Sequence, residues 1–323
     1  MTSQAIDPSL PVPAGRDACA RTPDDGAMWP EVTLPGTQRG VVRSAHTGRE
    51  YAVLVHVPAS PPPACGHPVI YLLDGGLLFP TAHTLARLAE HAGARLGLAP
   101  VQPLVVGIGP LQAGELHDPA RGEDYTPPAP DLSDTGDSHS PRQGGGERFL
   151  DFLETELKPL IARRHRVDPA RQALVGHSYG GLLVLHALFT RPGMFSTHVA
   201  GSPSIWWNRR HILREKDAFI ARGVPPDPAR RALLLTVGEL EQTPTPALDG
   251  TARDAMIHAR RMVDGARELA DELAGLSGAL ALEVAFRLIP GENHIGAALP
   301  MLGHAFAFCR ATMGQASHPT PPA

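Results

Sequence analysis

The sequence predicts a doubly wound α/β fold, in which helices cover both faces of a mainly parallel sheet. Six short apolar runs each end at a glycine or a polar residue, which is the pattern of parallel strands buried on both faces. Segments with helical periodicity separate these runs along the chain. The polar residues that close the runs fall at strand carboxyl ends, where sheets of this class bind their ligands.

The strands can be assigned in chain order. The stretch "REYAVLVHVP" alternates apolar and polar residues, which suits an antiparallel strand near a sheet edge. The continuous apolar runs that follow are "HPVIYLLDGG", "QPLVVGIG", "QALVGHS", "THVAGS", "RALLLTVGE" and "LEVAFRLIPG". Helical periodicity predicts helices over 81–95, 147–165, 180–191, 251–275 and 297–312. This alternation of strands and helices favours a parallel sheet.

The composition is that of a globular protein, with 42% hydrophobic and 19% charged residues in a chain of 323. The net charge of −4 and the scattered arginine pairs do not favour nucleic acid as a partner. The cysteines and histidines show no metal-ligand spacing, so we expect no metal and no cofactor. We see no signal peptide and no membrane-spanning run. A cytoplasmic location is therefore expected, or a periplasmic one if a leader has been removed.

The two ends of the chain differ from its middle. Residues 1–30 and 314–323 are aperiodic and contain many prolines, which predicts disordered tails around one domain at 31–313. Inside that domain, the segment from 109 to 146 has no clear periodicity. Long loops within compact domains are usually functional or disordered. Because this one follows the carboxyl end of a strand, we expect its front half to form a wall of a site.

The stretch "ALVGHSYGGLL" places Ser178 in a G-x-S-x-G motif between an apolar strand and an apolar helix. A serine flanked by glycines in an ordinary turn is the simpler alternative. The strand–turn–helix context favours a nucleophile elbow, in which a strained turn displays the serine hydroxyl at the sheet edge. Gly176 and Gly180 would keep Cβ atoms out of the space where the strand and helix cross. The following helix directs its N-terminal N–H groups toward the same point.

A serine hydroxyl is a weak nucleophile and needs a base, which a third group must orient. In chains with this elbow, the order along the sequence is serine, acid, histidine. His294 follows the last predicted strand, in "FRLIPGENHIGAALPML", and is therefore the predicted base. The other nearby histidines, His258 and His304, fall inside predicted helices. A surface loop histidine is the alternative interpretation of His294.

The acid should follow the strand "RALLLTVG". An acid three residues beyond the strand-end Gly238 is the usual placement, and this offset selects Glu241. Glu239 is the alternative, although it could instead cap the turn. Asp249 and Asp254 are later candidates.

Two backbone N–H groups are predicted to stabilise the oxyanion of the reaction. The N–H of Tyr179, directly after the serine, is one natural donor. The second should come from the loop "YLLDGGLLF", where Gly76 can bring its N–H close to the reacting carbonyl oxygen. Asp74 is expected to organise this turn. A plain Gly-Gly turn is the simpler interpretation of the same residues.

The sequence resembles the putative-esterase branch of the α/β-hydrolases, in particular the siderophore esterases that open enterobactin- and salmochelin-type trilactones. The resemblance spans about residues 32 to 312 and implies the α/β-hydrolase fold. It also implies the roles of Ser178 and His294 that the spacing predicts. The stretches that carry it are "LPGTQRGVVRSAHTGREYAVLVHVP", "VIYLLDGG", "LVVGIG", "RGEDYTP", "RFLDFLETELKPLI", "LVGHSYGGLLVLHAL", "GSPSIWW", "VGELE" and "PGENHIGAALP".

The resemblance further suggests substrate-binding roles for Arg121 and for Trp206 or Trp207. A catecholate ester is aromatic and anionic, so an arginine could pair with its oxygens and a tryptophan could form a flat apolar wall. Core packing is the alternative for the tryptophans, and we expect at least one of them to be buried. A surface pair with Asp124 is the alternative for Arg121.

The predicted function is therefore a serine esterase that hydrolyses carboxylic esters through an acyl-enzyme, with a siderophore ester as the expected substrate. Its partner would be a small-molecule ester, including a ferric siderophore, and not nucleic acid or a membrane. A carboxylesterase or thioesterase for another acyl group is the alternative within enzymes. A hydrolase-fold binding protein without catalysis is the alternative from another class.

Overall fold

The computed structural model describes residues 32–95, 102–111, 119–223, 231–243 and 250–314. The two predicted tails lie outside these residues, apart from Gly314. Within the described ranges, no helix is long and apolar enough to cross a membrane.

The described residues form one eight-stranded sheet in the order β1-β2-β4-β3-β5-β6-β7-β8. Its two antiparallel pairings are β1 with β2 and β2 with β4, and the remaining strands are parallel. The predicted antiparallel strand near an edge is therefore confirmed as β2. The strands are Thr37–Arg43 (β1), Glu50–His56 (β2), His67–Leu73 (β3), Leu104–Pro110 (β4), Val167–His177 (β5), Thr197–Gly201 (β6), Arg231–Gly238 (β7) and Leu282–Ile289 (β8).

Helices connect the strands and cover the sheet. They are Gly75–Arg95 (α1), Pro119–Asp124 (α2), Gly146–Asp151 (α3), Lys158–Arg164 (α4), Tyr179–Thr190 (α5), Trp207–Arg222 (α6), Ala252–Arg260 (α7), Met262–Gly275 (α8), Ser277–Leu280 (α9) and Ala298–Met313 (α10). A π-helical turn, Phe152–Leu157, joins α3 to α4, and a 3₁₀ turn, Glu239–Glu241, follows β7.

The connections run in opposite directions on either side of β3 and β5. From β3, α1 leads to β4 on one side, whereas α5 leads from β5 to β6 on the other. Because parallel crossovers are right-handed, these two helices lie on opposite faces of the sheet. The predicted doubly wound fold is confirmed. The point of reversal, between the carboxyl ends of β3 and β5, is where such sheets form a ligand crevice.

Three of the differences between the structure and the predicted elements have a clear local cause. Strand β1 was not predicted because its residues are mostly exposed and show no apolar run. Helix α6 was not predicted because its sequence is mainly polar. The predicted helix over 251–275 divides into α7 and α8, since Arg261 adopts a left-handed conformation with φ of 47°.

The centre of the sheet is its most buried part. Every residue of β3 and β6 is buried, and so are all residues of α5 from Tyr179 to Phe189. Burial of an apolar side chain stabilises a fold by about 1.5–3 kcal/mol. The strands that flank the crevice are therefore a rigid base for side chains at their carboxyl ends.

Candidate active site

The turn between β5 and α5 holds Ser178 in a strained conformation. Its φ of 60° and ψ of −116° are rare for a residue with a side chain. Two backbone contacts maintain the turn: the Ser178 N–H donates to Gly201 at 2.8 Å, and its carbonyl accepts from Leu182 at 3.0 Å. A Cβ at Gly176 would lie 2.5 Å from the Gly180 backbone, so the close crossing requires glycine there. The result is a half-buried hydroxyl at the sheet edge.

The structure brings Ser178, His294 and Glu241 together in one hydrogen-bonded line. The His294 Nε2 atom lies 2.9 Å from the Ser178 Oγ atom, and its Nδ1 atom lies 2.6 Å from Glu241 Oε2. The other carboxylate oxygen of Glu241 accepts hydrogen bonds from the Ser202 hydroxyl at 2.5 Å and the Gly238 N–H at 2.7 Å. A buried carboxylate held in this way can orient the imidazole and stabilise its protonated form.

The other acid candidates lie elsewhere. Glu239 is exposed, and its carboxylate accepts the N–H of Gly291 at 2.8 Å. The 3₁₀ turn places successive side chains in different directions, so only its last residue faces the imidazole. Asp254 lies in the first turn of α7 and pairs with His258 at 2.9 Å. Asp249 lies outside the described residues.

Two helix N-termini meet beside the serine. Helix α1 begins at Gly75 and α5 begins at Tyr179, directly after the neighbouring parallel strands β3 and β5. The first N–H groups of a helix have no partner within it, so those of Gly76 and Tyr179 can donate to a bound anion. A Cβ at Gly75 would overlap the backbone at Gly107, so the close packing of α1 on β4 requires glycine.

Arg121 is anchored to the protein on several sides. Its guanidinium forms a bidentate pair with Asp74, at 2.7 and 2.9 Å, and also donates to the His177 carbonyl at 3.1 Å. The guanidinium carbon lies 5.3 Å from the Tyr125 ring centroid and 5.8 Å from that of Tyr179. Burial alone would lower the pKa of Arg121, but the Asp74 carboxylate raises it above the usual value.

This arrangement contradicts the alternative interpretation of Arg121 as a surface partner of Asp124, whereas its substrate-binding role stays a prediction. Arg121 pairs with Asp74 and not with Asp124, whose carboxylate is bound by the Arg49 guanidinium and the Tyr51 hydroxyl. The Arg121 side chain is only 14% exposed, because α2 places it under the turn after β3. The structure therefore gives its guanidinium protein partners where we predicted a substrate anion.

The two adjacent tryptophans have different environments. Trp207 is fully buried, and its indole N–H donates to the Gln143 side chain at 2.5 Å. Trp206 is half-buried, and its ring centroid lies 6.2 Å from that of Tyr179. The prediction that at least one of the pair is buried is confirmed. Trp206 is the one whose indole remains partly open beside the serine turn.

Sequence reasoning missed one residue of the site, His177. Its side chain is buried, and its ring centroid lies 4.8 Å from that of His294. The pKa of His177 lies well below its usual value, first because of burial and then because His294 and Arg121 oppose a second positive charge. A neutral imidazole therefore supports one face of His294. Its place directly before Ser178 in the G-x-S-x-G motif is the sequence feature that could have identified it.

The fold and this geometry define a serine hydrolase of the α/β-hydrolase fold. Within the described residues, no cluster of three or more histidine, cysteine or acidic side chains could hold a metal ion. The chain belongs to the family described as "Putative esterase", whose model matches residues 44–275. It is an enzyme that acts on carboxylic ester bonds.

Named relatives cover most of the chain. A ferri-bacillibactin esterase of Bacillus subtilis is 37% identical over 279 residues, which is 85% of this chain and 90% of the relative. A siderophore triacetylfusarinine C esterase of Aspergillus fumigatus is 39% identical over 222 residues, 67% of this chain and 72% of the relative. The structure of the siderophore hydrolase EstA from Aspergillus nidulans matches with a TM-score of 0.73 and 30% identity, covering 88% and 99% of the two chains.

Proposed function

We propose that this enzyme is a siderophore esterase in which Ser178 is the nucleophile, His294 the base and Glu241 the acid. The observation that carries the proposal is the continuous hydrogen-bonded line from the serine hydroxyl to the buried carboxylate. The siderophore class of substrate is supported by the named activities of the relatives.

The first half of the reaction forms an acyl-enzyme. The His294 Nδ1–H donates to Glu241, which leaves Nε2 to accept the Ser178 proton as Oγ attacks the ester carbonyl carbon. The carbonyl π bond breaks and its oxygen becomes an oxyanion. When this intermediate collapses, the bond to the alcohol oxygen breaks and the protonated His294 gives that oxygen its proton. The alcohol departs, and the acyl group remains bound to Ser178 as an ester.

The second half repeats the chemistry with water. The neutral His294 removes a proton from a water molecule, whose oxygen attacks the acyl carbon. Collapse of the second tetrahedral intermediate breaks the bond to Ser178, whose oxygen recovers a proton from His294. Glu241 stabilises the imidazolium in both halves without itself accepting the proton.

The N–H groups of Gly76 and Tyr179 form the proposed oxyanion hole. They project from the first turns of α1 and α5, where the helix dipoles also favour negative charge. Asp74, with a φ of 54°, begins the turn that carries Gly76. We assign Arg121 to positioning this turn, because its bidentate pair holds the Asp74 carboxylate. Trp206 is the proposed aromatic wall for the acyl group.

A fluorophosphonate probe tests the nucleophile. The wild-type enzyme should be labelled and Ser178→Ala should not, because the probe forms its bond with an activated serine oxygen. Ser133→Ala is the matched control, since it removes an exposed serine hydroxyl in a loop and should leave labelling unchanged. Equal labelling of wild type and Ser178→Ala would overturn the assignment.

Substrate class is tested separately with purified enzyme. We expect the specificity constant for a catecholate trilactone to exceed that for a chromogenic short-chain ester. Rapid hydrolysis of the short-chain ester together with no hydrolysis of trilactones, iron-loaded or iron-free, would leave a general carboxylesterase and reject the siderophore substrate. Absence of turnover on every ester would contradict the proposed catalytic roles.

A further inference from the structure

Helix α7 ends with an arginine whose guanidinium lies over the half-buried tryptophan of the site. The guanidinium carbon of Arg260 is 3.8 Å from the centroid of the Trp206 ring, which is stacking distance. The Arg260 side chain is half-buried, so one side of the guanidinium remains accessible. A planar cation and an indole thus form one composite surface.

Within the described ranges, the Arg260 guanidinium has no ion pair and no hydrogen bond to another side chain or to a carbonyl. This contrasts with Arg121, whose Nε and Nη2 groups donate to Asp74 and to the His177 carbonyl. An arginine carries five N–H donors in a rigid fork that suits planar oxygen anions. At Arg260, no acceptor from the described part of the chain takes these donors.

The Asp137 carboxylate interacts electrostatically with the Arg260 guanidinium. This carboxylate is already engaged, because the Tyr179 hydroxyl donates to it at 2.5 Å and the His139 N–H donates at 2.8 Å. Burial lowers the pKa of Arg260, and Tyr179 and Asp137 offset only part of that shift. The site therefore holds a partly desolvated cation that an anionic ligand would stabilise.

This surface adjoins the reacting serine. The Ser204 N–H donates to the Ser178 carbonyl at 3.2 Å, which fixes the turn before Trp206 against the elbow. The Trp206 ring also packs near the ring of Tyr179, the residue that follows the serine. A group stacked beside Trp206 would therefore belong to a substrate whose ester lies at Ser178.

We infer that Arg260 is a specificity-determining residue that, stacked on Trp206, binds a planar anionic group of the substrate and favours iron-loaded over iron-free catecholate esters. Iron binding removes the catechol protons, so the ferric chelate is strongly anionic while the iron-free trilactone carries much less charge. The guanidinium would pair with catecholate oxygens, and the indole would contact the ring face. This inference rests on the proposed function.

The test compares one catecholate trilactone in its ferric and iron-free forms, with a neutral short-chain ester as the third substrate. Arg260→Gln should lower kcat/KM for the ferric form by roughly 10- to 100-fold, the range for a charge-assisted hydrogen bond. The iron-free form should lose much less and the neutral ester should be unaffected. Arg260→Lys should recover only part of the loss, because lysine lacks the planar fork.

Arg253→Gln is the matched control, since it removes one positive charge from an exposed position on the same helix. If Arg253→Gln and Arg260→Gln lower kcat/KM for the ferric form by a similar factor, the substrate is attracted only by the general positive charge of this helix, and the specific role of Arg260 is rejected. A second measurement uses Ser178→Ala, which cannot turn over. Quenching of its tryptophan fluorescence by the ferric chelate should weaken when Arg260→Gln is added.

The outcomes separate this inference from the proposed function. If the wild type hydrolyses the trilactone and Arg260→Gln keeps the same ferric-to-iron-free ratio, the role of Arg260 is rejected and the esterase assignment stands. If the wild type hydrolyses neither form, the siderophore substrate is rejected and the specificity inference falls with it. A ratio that drops only in the Arg260 variants supports the inference.

Discussion

Ser178 shows at the scale of one residue how the surrounding structure maintains strain. A backbone conformation this rare costs a residue with a side chain roughly 1–3 kcal/mol. The backbone bonds to Gly201 and Leu182 hold that conformation, and Gly176 leaves room for the crossing helix. This strained conformation keeps the hydroxyl directed at His294, so the two groups already lie in hydrogen-bonding contact.

The two glutamates of the turn after β7 give a direct test at this scale. Glu241→Gln should lower kcat by roughly a thousandfold or more, because a neutral amide no longer stabilises the imidazolium. The loss should be smaller than that of Ser178→Ala, since His294 and the oxyanion hole remain. Glu239→Gln is the control and should retain near wild-type rates. Steady-state kinetics on one neutral ester decide it, and the reverse order of effects would exchange the two assignments.

Arg121 gives a second prediction, on the geometry of the oxyanion turn. Arg121→Ala should lower kcat on neutral and anionic esters by the same factor, because Asp74 loses its bidentate partner whatever the substrate. The variant should also lose about 3–5 kcal/mol of unfolding free energy, the usual cost of leaving a buried charge unpaired. Kinetics on both esters and urea unfolding measure these effects. A loss confined to the anionic ester would return Arg121 to substrate binding.

At the scale of elements, α6 begins with an unusual turn. Asn208, Arg209 and Arg210 have φ values of 46°, 54° and 62°, all in the left-handed region. The turn is bound to the loop between α2 and α3, since the Asn208 N–H donates to the Thr135 carbonyl at 2.8 Å. This turn begins two residues after Trp206, the partly exposed tryptophan of the site. Strain of this kind is often found at functional sites.

Glycine at the middle of this turn should relieve strain. Arg209→Gly should leave stability unchanged or raise it by about 0.5–1 kcal/mol, because glycine adopts positive φ without a steric penalty. The exposed pair of Arg209 with Asp134, at 3.2 Å, is worth little. Arg214→Gly, in the regular part of α6, is the control and should cost about 1 kcal/mol. Thermal unfolding measures both, and equal destabilisation would show that the turn carries no relievable strain.

For the whole molecule, buried histidines link stability to pH. Burial lowers the pKa of His198 to about 3 and that of His56 to about 4. An unfolded chain would protonate both near the ordinary value of 6.5. Below that pH the unfolded state binds more protons than the folded state, so stability falls as the pH drops toward 3.

Removing one such histidine should flatten this acid limb. His198→Leu should lessen the loss of stability between pH 6.5 and about 3, by an amount on the order of a few kcal/mol at the acid end. Urea unfolding at several pH values measures the slope. His91→Leu replaces an exposed histidine and should leave the slope as it is in wild type. An unchanged slope in His198→Leu would contradict the linkage.

Some predictions for the whole chain stay open. A single domain at 31–313 and a cytoplasmic location are both still predictions. Limited proteolysis followed by mass spectrometry would test the domain bounds, and fractionation of the host cell would test the location.

The parallel sheet, the strand–turn–helix context of Ser178 and the chain order of the acid and His294 could all be predicted from the amino-acid sequence. These features follow from short-range patterns: apolar runs report burial, and glycines report where backbones must approach closely. The offset of Glu241 from Gly238 is local for the same reason. Structure and sequence therefore agree where neighbours along the chain are also neighbours in space.

Only the tertiary structure decided which distant side chains meet. Asp74, rather than the adjacent Asp124, binds Arg121 because α2 packs against the turn after β3. Arg260 lies over Trp206 because the left-handed Arg261 ends α7 at that point. An ion pair or a stacked ring depends on the packing of separate elements, and periodicity along one element carries no information about its neighbour.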